Sequence, residues 1–196
     1  MGDADSGVLS CEDMLPGEIN RVAVAGVSGV GKTTLARQIA GVLDIAHIEI
    51  DGLFHGPHWQ PRPEFLYDVL DLVDRDRWVT EWQYSEARPL IANRSDLIVW
   101  LDLPFWTTTF PRVLRRTLRR RVRSDVLWNG NKEPPLHTVL TDPDHIIRCA
   151  ISTRHKYDNA VPDLRESYPD LTIVHLRTAR QVRSWRAGPL AARACK

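Results

Sequence analysis

The octapeptide Gly26-Val-Ser-Gly-Val-Gly31-Lys32-Thr33 matches the pattern G-x-x-x-x-G-K-[ST] at every fixed position. Glycines at those places let the chain curl so that successive backbone N–H groups point inward, toward phosphate oxygens. Lys32 adds a compact positive charge, Thr33 a hydroxyl able to ligate Mg²⁺, and the following helix its positive end. The residues expected to contact the nucleotide are Gly26, Ser28, Gly29, Val30, Gly31, Lys32, Thr33 and Thr34. A short pattern of this kind also arises in ordinary glycine-rich turns, so its surroundings decide. Here a valine-rich run, Arg21–Gly26, reads as a buried strand before it. Thr33–Leu43 carries Leu35, Ile39, Val42 and Leu43 at helical spacing after it.

That alternation continues. Ile45–Ile50 reads as a second strand, residues 64–74 as a helix, Trp78–Trp82 as a third strand and Asp96–Asp102 as a fourth. Pro104 opens a long helical stretch through Arg123, with a bend expected at Pro111. Residues 124–141 read as loop, punctuated by Asn129-Gly130 and Pro134-Pro135. Asp142-Pro143 starts a helix to about Asn159, Leu171–Leu176 is a fifth strand, and Ala179–Ala187 a closing helix. Strands alternating with helices predict a three-layer α/β/α fold with a parallel five-stranded sheet, its ligands at the carboxyl ends of the strands. Residues 1–18 read as a flexible lead-in and residues 19–190 as a single domain.

A charged fraction of 26% and a net charge of +1 give no global pull toward nucleic acid or membrane. No apolar stretch approaches the roughly 20 residues that span a bilayer. The three cysteines, Cys11, Cys149 and Cys195, form no C-x-x-C pair and suggest neither a disulfide framework nor a zinc site. With an acidic amino terminus unlike a signal peptide, the expectation is a cytoplasmic protein, a monomer or weak dimer.

The charge is nonetheless uneven. Residues 112–123 hold seven arginines and no acid. On a helical wheel Arg112, Arg115, Arg116, Arg119, Arg120 and Arg123 share a face, with Leu114 and Leu118 opposite. Such crowding costs a few tenths of a kcal/mol per i,i+4 pair unless a polyanion or acids relieve it. Closure over a triphosphate, a solvated face paired with acids, and contact with a DNA backbone all remain open. Asp51, at the end of the second strand, is placed to orient and deprotonate an alcohol, or to contact a nucleoside monophosphate; a plain turn aspartate before Gly52 is the other reading. His55, His58 and Trp59 follow it. Arg88 offers a bidentate fork for an acceptor phosphate or carboxylate, or else a surface ion pair.

Several stretches resemble the adenylate-kinase-like small kinases, and within them the bacterial proteins labelled DNA-topology modulation protein or adenylate-kinase-like ATPase. They are the phosphate loop, Asp51-Gly-Leu-Phe-His-Gly-Pro-His-Trp59, Arg77-Trp-Val79, Tyr84-Ser85, Val99–Pro104, the arginine run and Leu127-Trp-Asn-Gly-Asn131. The resemblance implies that residues 112–141 form a mobile lid, with Arg116 and Arg120 assigned as catalytic arginines beside Lys32 and Asp51. It also places Arg88 on the substrate and makes Arg177-Thr-Ala-Arg180 an adenine-contacting turn. Where those kinases carry Asp-Gly at the end of the third strand, this chain has Glu81-Trp82, so Glu81 joins Thr33 as the expected metal residue. Tryptophan in place of glycine narrows the acceptor pocket. Asp102 is an alternative acid at a strand end.

The leading expectation is therefore an ATP- and Mg²⁺-dependent phosphotransferase acting on a nucleoside monophosphate or another small-molecule phosphate acceptor. The alternative is a nucleotide-dependent regulatory or nucleic-acid-binding ATPase.

Overall fold

Along Arg21–Gly26 (β2) the side chains alternate between two buried faces, Val22 and Val24 on one, Ala23 and Ala25 on the other. That alternation separates two cores, because a strand covered on both sides sends successive residues to opposite layers. In the computed structural model, which describes residues 8–123 (backbone only for 120–123), 128–131 and 150–194, the valine face packs on helix Lys32–Leu43 (α1) through Leu35, Ala36 and Ile39. Trp185 and Leu190 close it. The alanine face leaves room for bulk, and Phe65, Val69 and Leu72 of helix Phe65–Val73 (α3) fill it with Trp78, Ile91 and Ile98.

The sheet is parallel throughout. Val8–Leu9 (β1), β2, Trp78–Glu81 (β3), Leu97–Leu101 (β4) and Thr172–Leu176 (β5) lie in the order β1-β5-β4-β2-β3. From β2 the chain departs to β3 on one side and then crosses to β4 on the other. The carboxyl end of β2 is thus the switch point, where an open α/β sheet leaves a crevice. Helix Ala87–Arg94 (α4) joins α3 on one face, and helix Ala179–Trp185 (α7) joins α1 on the other. The expected three-layer α/β/α arrangement of five parallel strands is present.

Two strands differ from expectation. Residues 45–50 do not form a ladder strand. His47 makes an isolated bridge to Val79, Ile48 N–H donates to Val79 O at 2.9 Å, and then the chain turns into helix Ile50–Phe54 (α2). The cause is side-chain capture of backbone groups: the Thr80 hydroxyl takes Ile48 O at 2.8 Å and the Glu81 carboxylate takes Ile50 N–H at 3.1 Å. The fifth strand comes instead from the expected lead-in, since Val8–Leu9 pairs with Ile173–Val174, and Leu15 and Ile19 enter the core. Without them β5 would present an unpaired edge.

The arginine helix also departs from its wheel. Residues 105–109 make a wider π-type turn, and the regular helix Phe110–Arg123 (α5) takes Pro111 in its first turn, so the irregularity precedes the proline. Val113 and Thr117 are the buried pair, while Leu114 and Leu118 are 39% and 42% exposed. The seating of Val113 over Gly29, rather than hydrophobicity, decides this. Trp106 is 59% exposed. The helix expected from residue 142 lies outside the described residues up to 149; residues 153–161, its expected end, are consecutive turns. Helix Pro162–Ser167 (α6) follows. Among the described residues no helix is long and apolar enough to cross a membrane.

At the amino ends of the strands Asp96 accepts the N–H groups of Asn20 and Arg21 at 3.0 and 2.9 Å and pairs with the Arg21 guanidinium at 2.7 Å. Burial works against its ionisation, but these hydrogen bonds outweigh it and hold the carboxyl below its usual range. The stabilisation is therefore complete above the unfolded pKa and is lost as pH falls through the lower folded one. Replacing Asp96 by Asn is expected to cost about 1–3 kcal/mol in urea unfolding at pH 7, and to flatten the loss of stability of the native chain below pH 4.

Candidate functional site

Between β2 and α1 the chain turns through three left-handed glycines, Gly26 (φ 145°), Gly29 (φ 79°) and Gly31 (φ 113°). At Gly26 a β-carbon would lie 2.7 Å from Leu101 O and 2.8 Å from a Val30 methyl; at Gly29 it would collide with Val113. The loop is thus curled and closely covered. Val30 N–H bonds Val27 O at 3.3 Å, Ser28 is half-buried, Val30 is buried and Thr34 is exposed at the start of α1.

The cover is α5. Val113 sits on Gly29, the Arg112 guanidinium bonds Val30 O at 3.2 Å, and Arg116 is close enough to Lys32 to act on its ionisation. This seating explains which flank of the helix is buried: Val113 is the side chain over the loop, so the leucines turn outward. Among the described residues no carboxylate pairs with Arg112, Arg115 or Arg119, and all three are exposed. The side chain of Arg120 and residues 124–127 and 132–141 of the expected lid lie outside the described residues.

Lys32 bends back to Val27 O at 3.3 Å. Desolvation lowers its pKa to about 8; the charges of Arg116 and Lys156 push the same way, against Asp51 and Glu81. Three cations therefore gather where the loop's amides converge, which is the electrostatic requirement for a polyphosphate. Lys156 went unnoticed in the sequence, where only the basic run Arg154-His-Lys156 marks it.

Glu81 ends β3 almost wholly buried, 2% exposed. Burial alone would raise its pKa, but bonds from His47 (3.1 Å) and Ile50 N–H, with the nearby Thr33 hydroxyl, prevail and keep it below the usual carboxylate range. Of the expected metal pair, Thr33 thus lies close enough to Glu81 to act on its ionisation. Two hard oxygens suit Mg²⁺, which takes one or two protein oxygens and completes its shell with phosphate and water. Among the described residues no group of three or more His, Cys, Asp or Glu could hold a metal by itself. Asp102, the alternative acid, is engaged by His175 at 3.0 Å.

Asp51 is not at a strand end but in the first turn of α2. One of its oxygens, Oδ1, accepts Gln83 Nε2 and Tyr84 Oη, both at 2.7 Å. Burial, then the nearby Asp51 charge, drives the Tyr84 pKa far up, so the phenol stays a donor. Its Oη also lies 3.2 Å from His55 Nε2, and its ring stacks 3.9 Å from Phe54. Burial lowers the His55 pKa against the pull of Asp51. Tyr84 and Gln83 were not identified as site residues; they follow Glu81-Trp82 just beyond a strand end, and only that placement could have flagged them.

Beside this group Trp128 stacks on His55 and lies against Gly52, while buried Asn131 donates to Gly56 O at 2.8 Å and accepts Trp59 N–H at 3.1 Å. Trp128–Asn131 therefore clamp the loop after Asp51. His58 is exposed and joins no ligand cluster. Arg88 is half-buried, its guanidinium carbon 5.2 Å from the centre of the Trp82 ring and 5.9 Å from that of Tyr157; among the described residues its buried Nε has no hydrogen-bond partner and its guanidinium no ion pair. The expected adenine turn gives the N–H groups of Arg177 and Thr178 to the Gln181 side chain, in a capping box that opens α7. A cleft of about 560 Å³ lies elsewhere, at the amino ends of β4 and β5 near Asp96 and Thr172, remote from all of this chemistry.

No protein-family model matches the chain, and no curated protein matches it. Among solved structures it is similar to a gluconokinase from Sinorhizobium meliloti 1021, with 19% identity over 89% of this chain and 93% of that one and a TM-score of 0.48. It is also similar to an unliganded sugar kinase from Janibacter sp. HTCC2649, with 18% identity over 90% and 92% and a TM-score of 0.39. Likeness at this level adds nothing to what the sheet order and the curled loop establish. Neither structure carries the label DNA-topology modulation protein, so that narrower resemblance rests on its motifs alone.

Because only the protonated ammonium of Lys32 attracts phosphate, nucleotide binding should be insensitive to pH below about 8 and weaken by about tenfold per unit above it. Calorimetric titration of ATP between pH 6.5 and 9.5 reads this directly, and in Lys32→Ala the slope should vanish.

Proposed function

We propose that this chain is an ATP-dependent kinase that transfers the γ-phosphoryl group to a hydroxyl of a small acceptor held at Asp51. One observation carries the reading. Asp51 has a single oxygen pinned by two donors, its Oδ2 has no hydrogen bond among the described residues, and its charge reaches the phosphate-loop lysine. A fixed carboxylate facing a cluster of cations is what an alcohol needs to be oriented and relieved of its proton during attack on phosphorus.

In this mechanism the amides of residues 26–34 and Lys32 hold the β- and γ-phosphates. The acceptor oxygen forms a bond to the γ-phosphorus as the bond to the β–γ bridging oxygen breaks. The hydroxyl proton passes to Asp51, ADP leaves with the bridging oxygen, and Asp51 returns the proton to solvent. Arg116 and Arg120, with Lys156, neutralise charge on the transferring group. Thr33 and Glu81 would hold Mg²⁺, which would supply positive charge to the phosphates. If the acceptor is instead a nucleoside monophosphate, its phosphate oxygen is the nucleophile, Asp51 contacts sugar, base or a metal-bound water rather than taking a proton, and Arg88, whose Nε has no partner among the described residues, takes the phosphate.

The second reading is a nucleic-acid-binding ATPase, favoured by Arg112, Arg115 and Arg119 having no acidic partner among the described residues. It calls for duplex binding that weakens steeply with salt.

A screen of ADP release across nucleoside monophosphates, sugars and aminoglycoside-like alcohols, with Lys32→Ala as control, tests the proposal. At least one acceptor should raise ATP consumption well above the control. Asp51→Asn should then cut that acceptor-dependent rate by about 10²-fold or more while leaving ATP affinity within about twofold. If no acceptor lifts the wild type above Lys32→Ala, the kinase reading fails.

A further inference from the structure

His47 lies in the segment that runs beside β3 without joining it. Hydrogen bonds from Ile48 N–H to Val79 O at 2.9 Å, from Val79 N–H to Ala46 O at 3.0 Å and from Thr80 to Ile48 O at 2.8 Å fix its backbone on both sides. The imidazole has little room to move, with 10% of its side chain exposed, and its Nε2 meets Glu81 Oε1 at 3.1 Å. An ionised carboxylate only accepts, so Nε2 carries the hydrogen. The other oxygen of Glu81 accepts Ile50 N–H at 3.1 Å, and the Thr33 hydroxyl lies near enough to act on the carboxylate's ionisation.

The placement of these partners matters more than their number. Thr33 belongs to the phosphate loop, whereas Ile50 opens α2 and directly precedes Asp51. One buried carboxylate thus ties the end of the donor site to the element that carries the acceptor base. A glutamate has three rotatable bonds and no fixed direction of its own. Its orientation toward Thr33 and Ile50 needs a partner that cannot swing, and His47 is that partner.

We propose that His47 is a positioning residue: by holding Glu81, it sets the magnesium response of the nucleotide site and fixes the amino end of α2 beneath Asp51. The inference rests on the phosphate loop binding a magnesium nucleotide. It makes no claim about the acceptor.

The test uses ADP as the probe, titrated by calorimetry with and without magnesium chloride, together with amide hydrogen exchange over residues 48–55. In His47→Leu the gain in ADP affinity on adding magnesium should shrink by about tenfold, the usual effect of removing an outer partner of a metal-site residue. Magnesium-free ADP affinity should stay within about twofold, since the loop amides and Lys32 are untouched. Exchange at Ile50 and Asp51 should accelerate, because that N–H loses its fixed acceptor. His47→Gln, whose side-chain amide reaches the same oxygen, should restore both readings; His47→Asn, too short to reach, should not. The Gln and Asn pair keeps the comparison decisive if the leucine variant does not fold. An unchanged magnesium response in Leu and Asn variants, or equal losses with and without magnesium, overturns the positioning role while leaving nucleotide binding intact. A wild type that binds no ADP overturns the phosphate-loop reading and this proposal with it.

Discussion

The curled loop between β2 and α1 depends on one close approach, the seating of Val113 against the backbone of Gly29. With no β-carbon at Gly29 the helix can descend onto the loop, and with φ at 79° an L side chain there would be strained as well as crowded. The same descent brings Arg112 to Val30 O and Arg116 to the neighbourhood of Lys32. A larger residue at position 29 would lift α5 and disperse the cations together. The loop's curl, the buried flank of α5 and the gathering of positive charge are thus three results of one packing contact.

That positive charge is balanced rather than free. Lys32 is depressed by its own desolvation and by two cationic neighbours, and held up by Asp51 and Glu81. The two acids are in turn restrained differently. Glu81 is buried and bonded at both oxygens, whereas among the described residues Asp51 is bonded at one oxygen only. An acid held at both oxygens keeps its direction, and one with an open oxygen is suited to accepting a proton. The difference between the two acids follows from hydrogen bonding more than from residue type. Aromatic packing supports it, since Phe54, Phe65 and Tyr84 hold the phenol that aims at Asp51.

Much of the fold was legible in the chain because its signals are local. Valine-rich runs at Arg21–Gly26 and Leu97–Leu101, helical spacing in residues 32–43 and 65–73, and the glycine-rich turn between strand and helix each depend on neighbours within a few residues. What misled was equally physical. Ile45–Ile50 has a strand's composition, yet Thr80 and Glu81, some thirty residues on, capture its backbone groups and lead the chain into α2 at Ile50. Val8–Leu9 is too short to announce itself, and becomes a strand only because β5 leaves an edge to fill.

The chain's own order of residues was enough to specify a curled phosphate loop between a strand and a helix within a parallel sheet, since glycine's conformational range and hydrophobic period act at short distance. Tertiary structure alone decided which flank of the arginine helix is buried, which acid is bonded at both oxygens and which at one, and that Lys156 lies near Lys32, Tyr84 at Asp51 and His47 at Glu81. The reason is separation: Gln83 and Tyr84 reach Asp51 across 32 and 33 positions, His47 reaches Glu81 across 34, and Asn131 reaches Gly56 across 75. No periodicity in the sequence encodes contacts at such range; they exist only once the layers have packed.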